Sequence, residues 1–276
     1  MIQDQARDLL RAGDPSAALT ALQDQVRADP SNAEKRVFLF QLLSVLGQWE
    51  RAATQLEVAA ELDAKTLAMV QMYREALKCE ALRADVFAGH KSPLIFGEPE
   101  EWLALLIEAL LVSGTERAAQ VDALRARALE LAPARGGSIN GERFEWLADA
   151  DTRVGPVCEA IVNGHYYWVP FARLARLDIE APIDLRDVAW TPAHFQFTNG
   201  GETVGIIPSR YPGSEGAGDS TLCLARKTTW QEVRPGVYEG LGQRLFATDA
   251  GEYPLFDVRS ILFDEPAAAA LERRDG

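Results

Sequence analysis

Residues 13–22 read Gly13-Asp14-Pro15-Ser16-Ala17-Ala18-Leu19-Thr20-Ala21-Leu22, and residues 47–56 read Gly47-Gln48-Trp49-Glu50-Arg51-Ala52-Ala53-Thr54-Gln55-Leu56. Gly13 matches Gly47, Ala18 matches Ala52, Leu22 matches Leu56 and Asp29 matches Asp63, all at an offset of 34 residues. Apolar residues stand at helical spacing on both sides of each glycine. Leu9 and Leu10 precede Gly13, and Ala18, Leu19, Leu22 and Val26 follow it before Asp29-Pro30. Val37, Leu39, Phe40, Leu42, Leu43 and Leu46 precede Gly47, and Ala52, Ala53, Leu56, Ala59 and Leu62 follow it. Glycine accepts the tight turn, and alanine lets the paired helices approach closely.

A helix–turn–helix unit of this length is the signature of tetratricopeptide repeats. Pro30 fits that pattern and Ala64 departs from it. A third hairpin is expected from Glu101–Val112, the turn Ser113-Gly114 and Arg117–Leu131, with Pro133 as its stop. Gly114 lies 67 residues beyond Gly47, one short of two periods, so the array is irregular. Between the hairpins, Lys65–Ala88 reads as one long helix followed by a loop with Pro93, Gly97 and Pro99. Stacked hairpins expose one face of their first helices, and a helical peptide can lie along it. Periodicity puts Val37, Gln41, Ser44 and Val45 on that face in the second unit, as candidate peptide-binding residues.

From about residue 136 the apolar period shortens to two. Asn140-Gly141, Asn163-Gly164 and Asn199-Gly200 each stand between candidate strands, and Asn-Gly is the strongest short hairpin signal because both residues tolerate positive φ. Strands are expected near Phe144–Leu147, Glu159–Val162, Tyr166–Val169, Phe195–Thr198 and Thr203–Ile207. Later ones are expected near Leu222–Ala225, Leu245–Thr248, Tyr253–Phe256 and Ile261–Phe263, with Asp249-Ala250-Gly251 as a hairpin turn. Gly213–Asp219 reads as a mobile loop, Ala134–Ser138 as a flexible connection, and Pro266–Gly276 as a charged, alanine-rich tail. Helices followed by strands make the fold class α+β. The expected domains are a tetratricopeptide-like helical one over 1–135 and an antiparallel β domain over 136–276, a small barrel or rolled sheet.

Composition narrows the function. Of 276 residues, 28 are Lys or Arg and 41 are Asp or Glu, a net charge of −13 that both halves share. Such a surface repels phosphate backbones and anionic lipid, which argues against nucleic-acid and membrane-surface partners. Cys79, Cys158 and Cys223 are isolated and odd in number, so reduced thiols in a cytoplasmic protein are expected. The opening Met1–Asp8 lacks the pattern of a signal peptide, and the most apolar helical stretch, Trp102–Val112, is too short for a bilayer and contains Glu108.

No catalytic constellation emerges. His90, His165 and His194 do not pair with other ligands at metal spacing, so neither a metal nor a cofactor is expected. Gly240-Leu241-Gly242 is half of a dinucleotide fingerprint in the wrong context, and a bulge or close backbone approach explains it better. Asp149 and Asp151, with Glu142 and Glu145 nearby, read as a solvated acidic face. Paired carboxylates do acid–base work only where burial splits their pKa values, which keeps a carboxylate hydrolase as a minor alternative. Aromatic and basic residues cluster in the strand region. Trp168, Trp190, Arg210, Tyr211, Gln243 and Arg244 form a second candidate interaction surface.

Four phrases of the strand region are more distinctive. Asn163-Gly164-His165-Tyr166-Tyr167-Trp168-Val169-Pro170-Phe171 and Asp187-Val188-Ala189-Trp190-Thr191-Pro192-Ala193 are the first two. Pro208-Ser209-Arg210-Tyr211-Pro212-Gly213-Ser214-Glu215 and Gly240-Leu241-Gly242-Gln243-Arg244 are the others. Together with Arg36–Leu43 and Leu46-Gly47-Gln48-Trp49 they resemble the ImpE/TagJ family of type VI secretion system accessory proteins, over about residues 6–264. Ser209 stands where Ala or Thr is expected. The resemblance implies a non-enzymatic cytoplasmic protein that binds the N-terminal helical segment of the small contractile-sheath subunit. A scaffold joining two partners, one per domain, is the alternative.

Overall fold

The computed structural model describes residues 2–113, 118–234 and 237–265. The helical part comprises α1 (Ile2–Arg11), α2 (Pro15–Ala28), α3 (Ala33–Val45), α4 (Trp49–Leu62), α5 (Leu67–Phe87), α6 (Glu101–Leu111) and α7 (Ala118–Leu131). The 34-residue repeat is written in the hydrogen bonds. Gly13 N–H donates to Leu10 O and Asp14 N–H to Leu9 O; one period later, Gly47 N–H donates to Ser44 O and Gln48 N–H to Leu43 O. Both turns are Schellman caps with glycine in the left-handed region, at φ 88° and 66°. A side chain at Gly47 is disfavoured twice over, since its Cβ would also fall 2.4 Å from the Glu215 side chain, which would have to shift. The expected Ser113-Gly114 turn lies partly outside the described residues, because Gly114 does.

The strands are β1 (Leu94–Ile95), β2 (Gly137–Ile139), β3 (Glu142–Phe144), β4 (Leu147–Asp149), β5 (Val157–Val162), β6 (His165–Pro170) and β7 (Leu174–Ile179). They continue with β8 (Trp190–Phe197), β9 (Glu202–Pro208), β10 (Thr228–Arg234), β11 (Val237–Gly242), β12 (Leu245–Thr248), β13 (Glu252–Pro254) and β14 (Ser260–Phe263). Nine form one sheet in the order β1-β6-β5-β9-β8-β7-β14-β2-β3; β13-β12-β4 form a second and β10-β11 a separate ribbon. All pairings are antiparallel except β1 with β6. The fold is α+β, with tetratricopeptide helices first and an antiparallel-rich sheet after. The sheet rolls without closing into a barrel. Residues near both of its ends, Phe144 and Val169, share one core with Phe195 and Phe246, while β1 and β3 remain as edges.

Several expectations need correction. Leu222–Ala225 is not a strand: Asp219 caps a helical turn, α8 (Ser220–Cys223), accepting from Thr221 N–H at 2.8 Å. Phe144–Leu147 is broken into β3 and β4, and Tyr253–Phe256 turns into a 3-10 turn after Pro254. Gly213–Asp219 is built rather than loose, because buried Ser214 donates to Tyr211 O and accepts from Gly242 N–H. Asn140-Gly141 and Asn163-Gly164 have both residues at positive φ, but at Asn199-Gly200 only Gly200 does. There Phe197 and Gly201 close a three-residue loop. The tail from Pro266 lies outside the described residues.

Two cores divide the interior. β5 is buried along its whole length because its faces serve different cores. Val157 and Ile161 join Leu22, Leu43, Tyr73 and Leu106 of the helices, and Cys158, Ala160 and Val162 join the interior of the rolled sheet. Between α7 and β2, the connection expected to be flexible is pinned. The Arg135 guanidinium donates to Ala172 O at 2.7 Å, to Leu174 O at 2.6 Å and to Asp264 O at 2.9 Å.

Candidate functional site

The expected groove on α3 is occupied by the chain itself. Gln41, Ser44 and Val45 are buried, and Val37 is half-buried at the rim of a depression of about 270 Å³ beside Arg7 and Asp184. Gln41 donates its amide to Asp184 Oδ1 at 3.4 Å. Arg210 donates to the carbonyls of Val45, at 2.7 Å, and Ser44, at 3.5 Å. Cys223 Sγ approaches Val45 O to 3.3 Å. A helix apolar all round is buried on every side. α3 is buried on every side from Phe38 to Val45, with Gln41 and Ser44 as its polar members. The face that periodicity indicates is covered by the strand region.

The second candidate set is likewise interior. Trp168, Trp190, Tyr211 and Arg244 are fully buried and Arg210 nearly so, while half-buried Gln243 donates to Ala225 O and accepts from Phe256 N–H. They belong to a buried network that joins α5 to the sheets. Glu159 on β5 accepts from Arg83 Nε at 2.7 Å, from Tyr166 OH at 2.5 Å and from Arg244. Arg244 also donates to Asp149, whose other oxygen accepts from Tyr211 OH at 3.0 Å. Trp190 Nε1 donates to Glu80 at 2.8 Å, and Trp168 Nε1 to Tyr166 OH at 2.9 Å.

These groups do not ionise alike. Burial pushes Glu159 up, but Arg83 and Arg244 outweigh it and hold the carboxyl at about 2. Burial pushes Asp149 up to about 6, opposed by Arg244 and reinforced by Asp151. Burial also raises Glu80. Asp149 and Asp151 are therefore not the solvated face expected of them. Asp151 is held by Arg153 Nη2 at 2.6 Å and by Gly240 N–H at 2.9 Å. Gly240 meets the Tyr211 ring so closely that a Cβ would lie 2.4 Å from it, the close approach expected of this glycine pair. The three histidines are dispersed. His90 lies 3.9 Å from Asp85, His165 Nδ1 is 2.9 Å from Asn163 O, and His194 sits in the middle of β8.

A different concavity is open. β8 and β9 pair His194 with Val204 and Pro192 with Ile206 on one face. Ile206 is buried in the core shared with the helices, yet Val204, next on the same face, is 72% exposed. Ile161–Ile206 is the one register pair between β5 and β9 among the described residues. β5 then turns away at Asn163-Gly164, and the β8–β9 hairpin overhangs. On the other side α5 contributes Ala68, Gln71, Met72 and Glu75, a ridge with i, i+3, i+4 and i+7 spacing, with Met72 45% exposed. The groove between them encloses about 490 Å³. Its charged lining is acidic, Glu75 and Glu180, with Glu202 3.5 Å from His194 at the margin. In the sequence the helix and strands that bound it were visible, but not their convergence on one groove.

A tetratricopeptide helical layer sealed to an open sheet by buried charges, with an uncovered groove beside α5, defines a helical-repeat protein with a fused β region. The tetratricopeptide repeat model matches residues 9–77, and the ImpE protein family model matches residues 141–262. The chain is 52% identical over 259 residues to the type VI secretion system accessory component TagJ of Pseudomonas aeruginosa, covering 94% of this chain and 91% of that one. The crystal structure of protein VPA1032 from Vibrio parahaemolyticus superposes with a TM-score of 0.87 at 27% identity, covering 96% of this chain and 99% of that one. The chain belongs to the ImpE/TagJ family. The four phrases that carry the resemblance supply Tyr166 and Trp168, Trp190, Arg210 and Tyr211, and Gly240 and Arg244, so they converge on the buried junction.

Proposed function

We propose that the protein is a non-enzymatic accessory component of a type VI secretion system, an adaptor acting in the cytoplasm that captures the N-terminal helical segment of the small contractile-sheath subunit. The observation that carries this reading is 52% identity along nearly the whole chain to an accessory component of that system. Tetratricopeptide helices are a protein-binding architecture, and the acidic surface disfavours nucleic acid and anionic membranes. No helix among the described residues is long and apolar enough to cross a membrane. Against the carboxylate-hydrolase alternative, Asp149 and Asp151 are each engaged by an arginine in the interior, although burial does raise Asp149. The shared core weighs against a scaffold of two separable halves.

Calorimetric titration with a synthetic peptide of the cognate sheath subunit's N-terminal helix tests the proposal. Saturable one-to-one binding at a roughly micromolar Kd is expected, consistent with an interface of standard size or smaller. A proline in the middle of the peptide should abolish it. Absence of binding by the unmodified peptide would overturn helix capture.

A further inference from the structure

We propose that the groove between α5 and the β8–β9 hairpin is the docking surface for an amphipathic helix with apolar anchors on one face and lysine or arginine beside them. The inference rests on the helix-capture reading above and assigns it a place and a chemistry. Three observations carry it.

The first is an interrupted layer. Pro192, His194, Val204 and Ile206 share a sheet face, and helices cover that face at Ile206 but not at Val204. A second helix laid beside α5 would continue the layer that α5 begins. The second is spacing. Alternate residues on a strand stand roughly 6.6 Å apart, close to the helical pitch of about 5.4 Å. Pro192 and His194, half-buried on the same face, stand at that spacing and can thus meet successive anchors of a helix beside Val204, while Met72 and Ala68 close its flank. The groove presents side chains of a sheet face, which suits a packed helix better than an added strand. The third is charge. Glu75 and Glu180 line the groove, Glu202 stands at its margin, and no lysine or arginine is part of the lining. Lys78, 2.8 Å from Glu75, offsets one carboxylate from outside. A cationic flank on the incoming helix complements the remainder and speeds encounter.

The test is titration of the full-length chain with the same sheath-subunit helix peptide, comparing wild type with Val204→Glu, Met72→Glu, Glu180→Lys and Val37→Glu. The substituted side chains are exposed or half-buried, so melting temperatures should stay within a few degrees of wild type. Val204→Glu and Met72→Glu should each raise Kd at least tenfold. Glu180→Lys should raise it several-fold, more at low salt than at high. Val37→Glu, at the rim of the filled α3 surface, should change it less than twofold. Wild-type binding with unchanged affinity in Val204→Glu and Met72→Glu would overturn the groove while leaving helix capture standing. Undiminished binding of the proline-containing peptide would overturn the helical occupant. No binding to wild type would remove the reading on which both rest.

Discussion

Two concavities flank the helical layer, and the chain treats them oppositely. Along α3, Arg210, Asp184 and Cys223 reach across from the strand region and occupy the surface. Along α5, the sheet stops short and leaves Met72 and Val204 to solvent. The first is a face of the helical repeat, and the second opens where β5 turns away from β9 beside α5. The difference lies in what the second half of the chain supplies. Repeat periodicity therefore locates a surface that can be filled, and only the tertiary structure says whether the protein fills it itself.

The comparison breaks most readily at the filled side. Arg244→Ala leaves Asp149 and Glu159 buried without their shared cation, and removing one partner of a buried ion network costs about 3–5 kcal/mol. Denaturant titration should show that loss, while Val204→Glu in the open groove stays within about 0.5 kcal/mol of wild type. Equal effects of the two substitutions would erase the distinction between junction and groove.

A smaller effect sharpens the electrostatics of the junction. Asp149 ionises near 3.8 when unfolded and at about 6 when folded. Between these values the folded chain keeps a proton that the unfolded chain releases, so stability from this group falls as pH rises through the window, by at most about 3 kcal/mol. Glu159 runs the other way. Its ordinary value of 4.5 is held down at about 2, so its contribution is present above pH 4.5 and is lost as pH falls towards 2. Unfolding free energy followed by denaturant titration should decline between about pH 4 and 6 in wild type, and Asp149→Asn should flatten that decline. A variant with an unchanged slope would show that Asp149 does not hold the proton.

What the sequence made legible was local. The glycine turns at 13 and 47 and the hairpins at Asn140-Gly141 and Asn163-Gly164 need only neighbouring residues, and all four formed. Leu222–Ala225 misled because its apolar run outweighed the Asp219 cap just before it. The strands β1, β7, β10 and β11 were missed. β10 is largely solvent-facing and carries no clean alternation. The junction was seen only as composition, an excess of aromatic and basic residues. Its members are distant in sequence: Arg83 is 76 residues from Glu159, and Arg244 is 85 residues from it. Without those partners Asp149 and Asp151 look like two more surface carboxylates on an acidic chain. Residues such as Trp190 and Arg210 look like interface anchors for the same reason, since burial inside a protein and burial between proteins favour the same side chains.

The central claim is that the open groove, and not the α3 surface, receives the partner. Amide hydrogen exchange of the full chain, with and without saturating sheath-subunit helix peptide, tests it most directly. The account predicts new protection confined to residues 68–75 and 192–206, with residues 37–45 unchanged. Protection appearing at 37–45 while 68–75 and 192–206 exchange as before would contradict it.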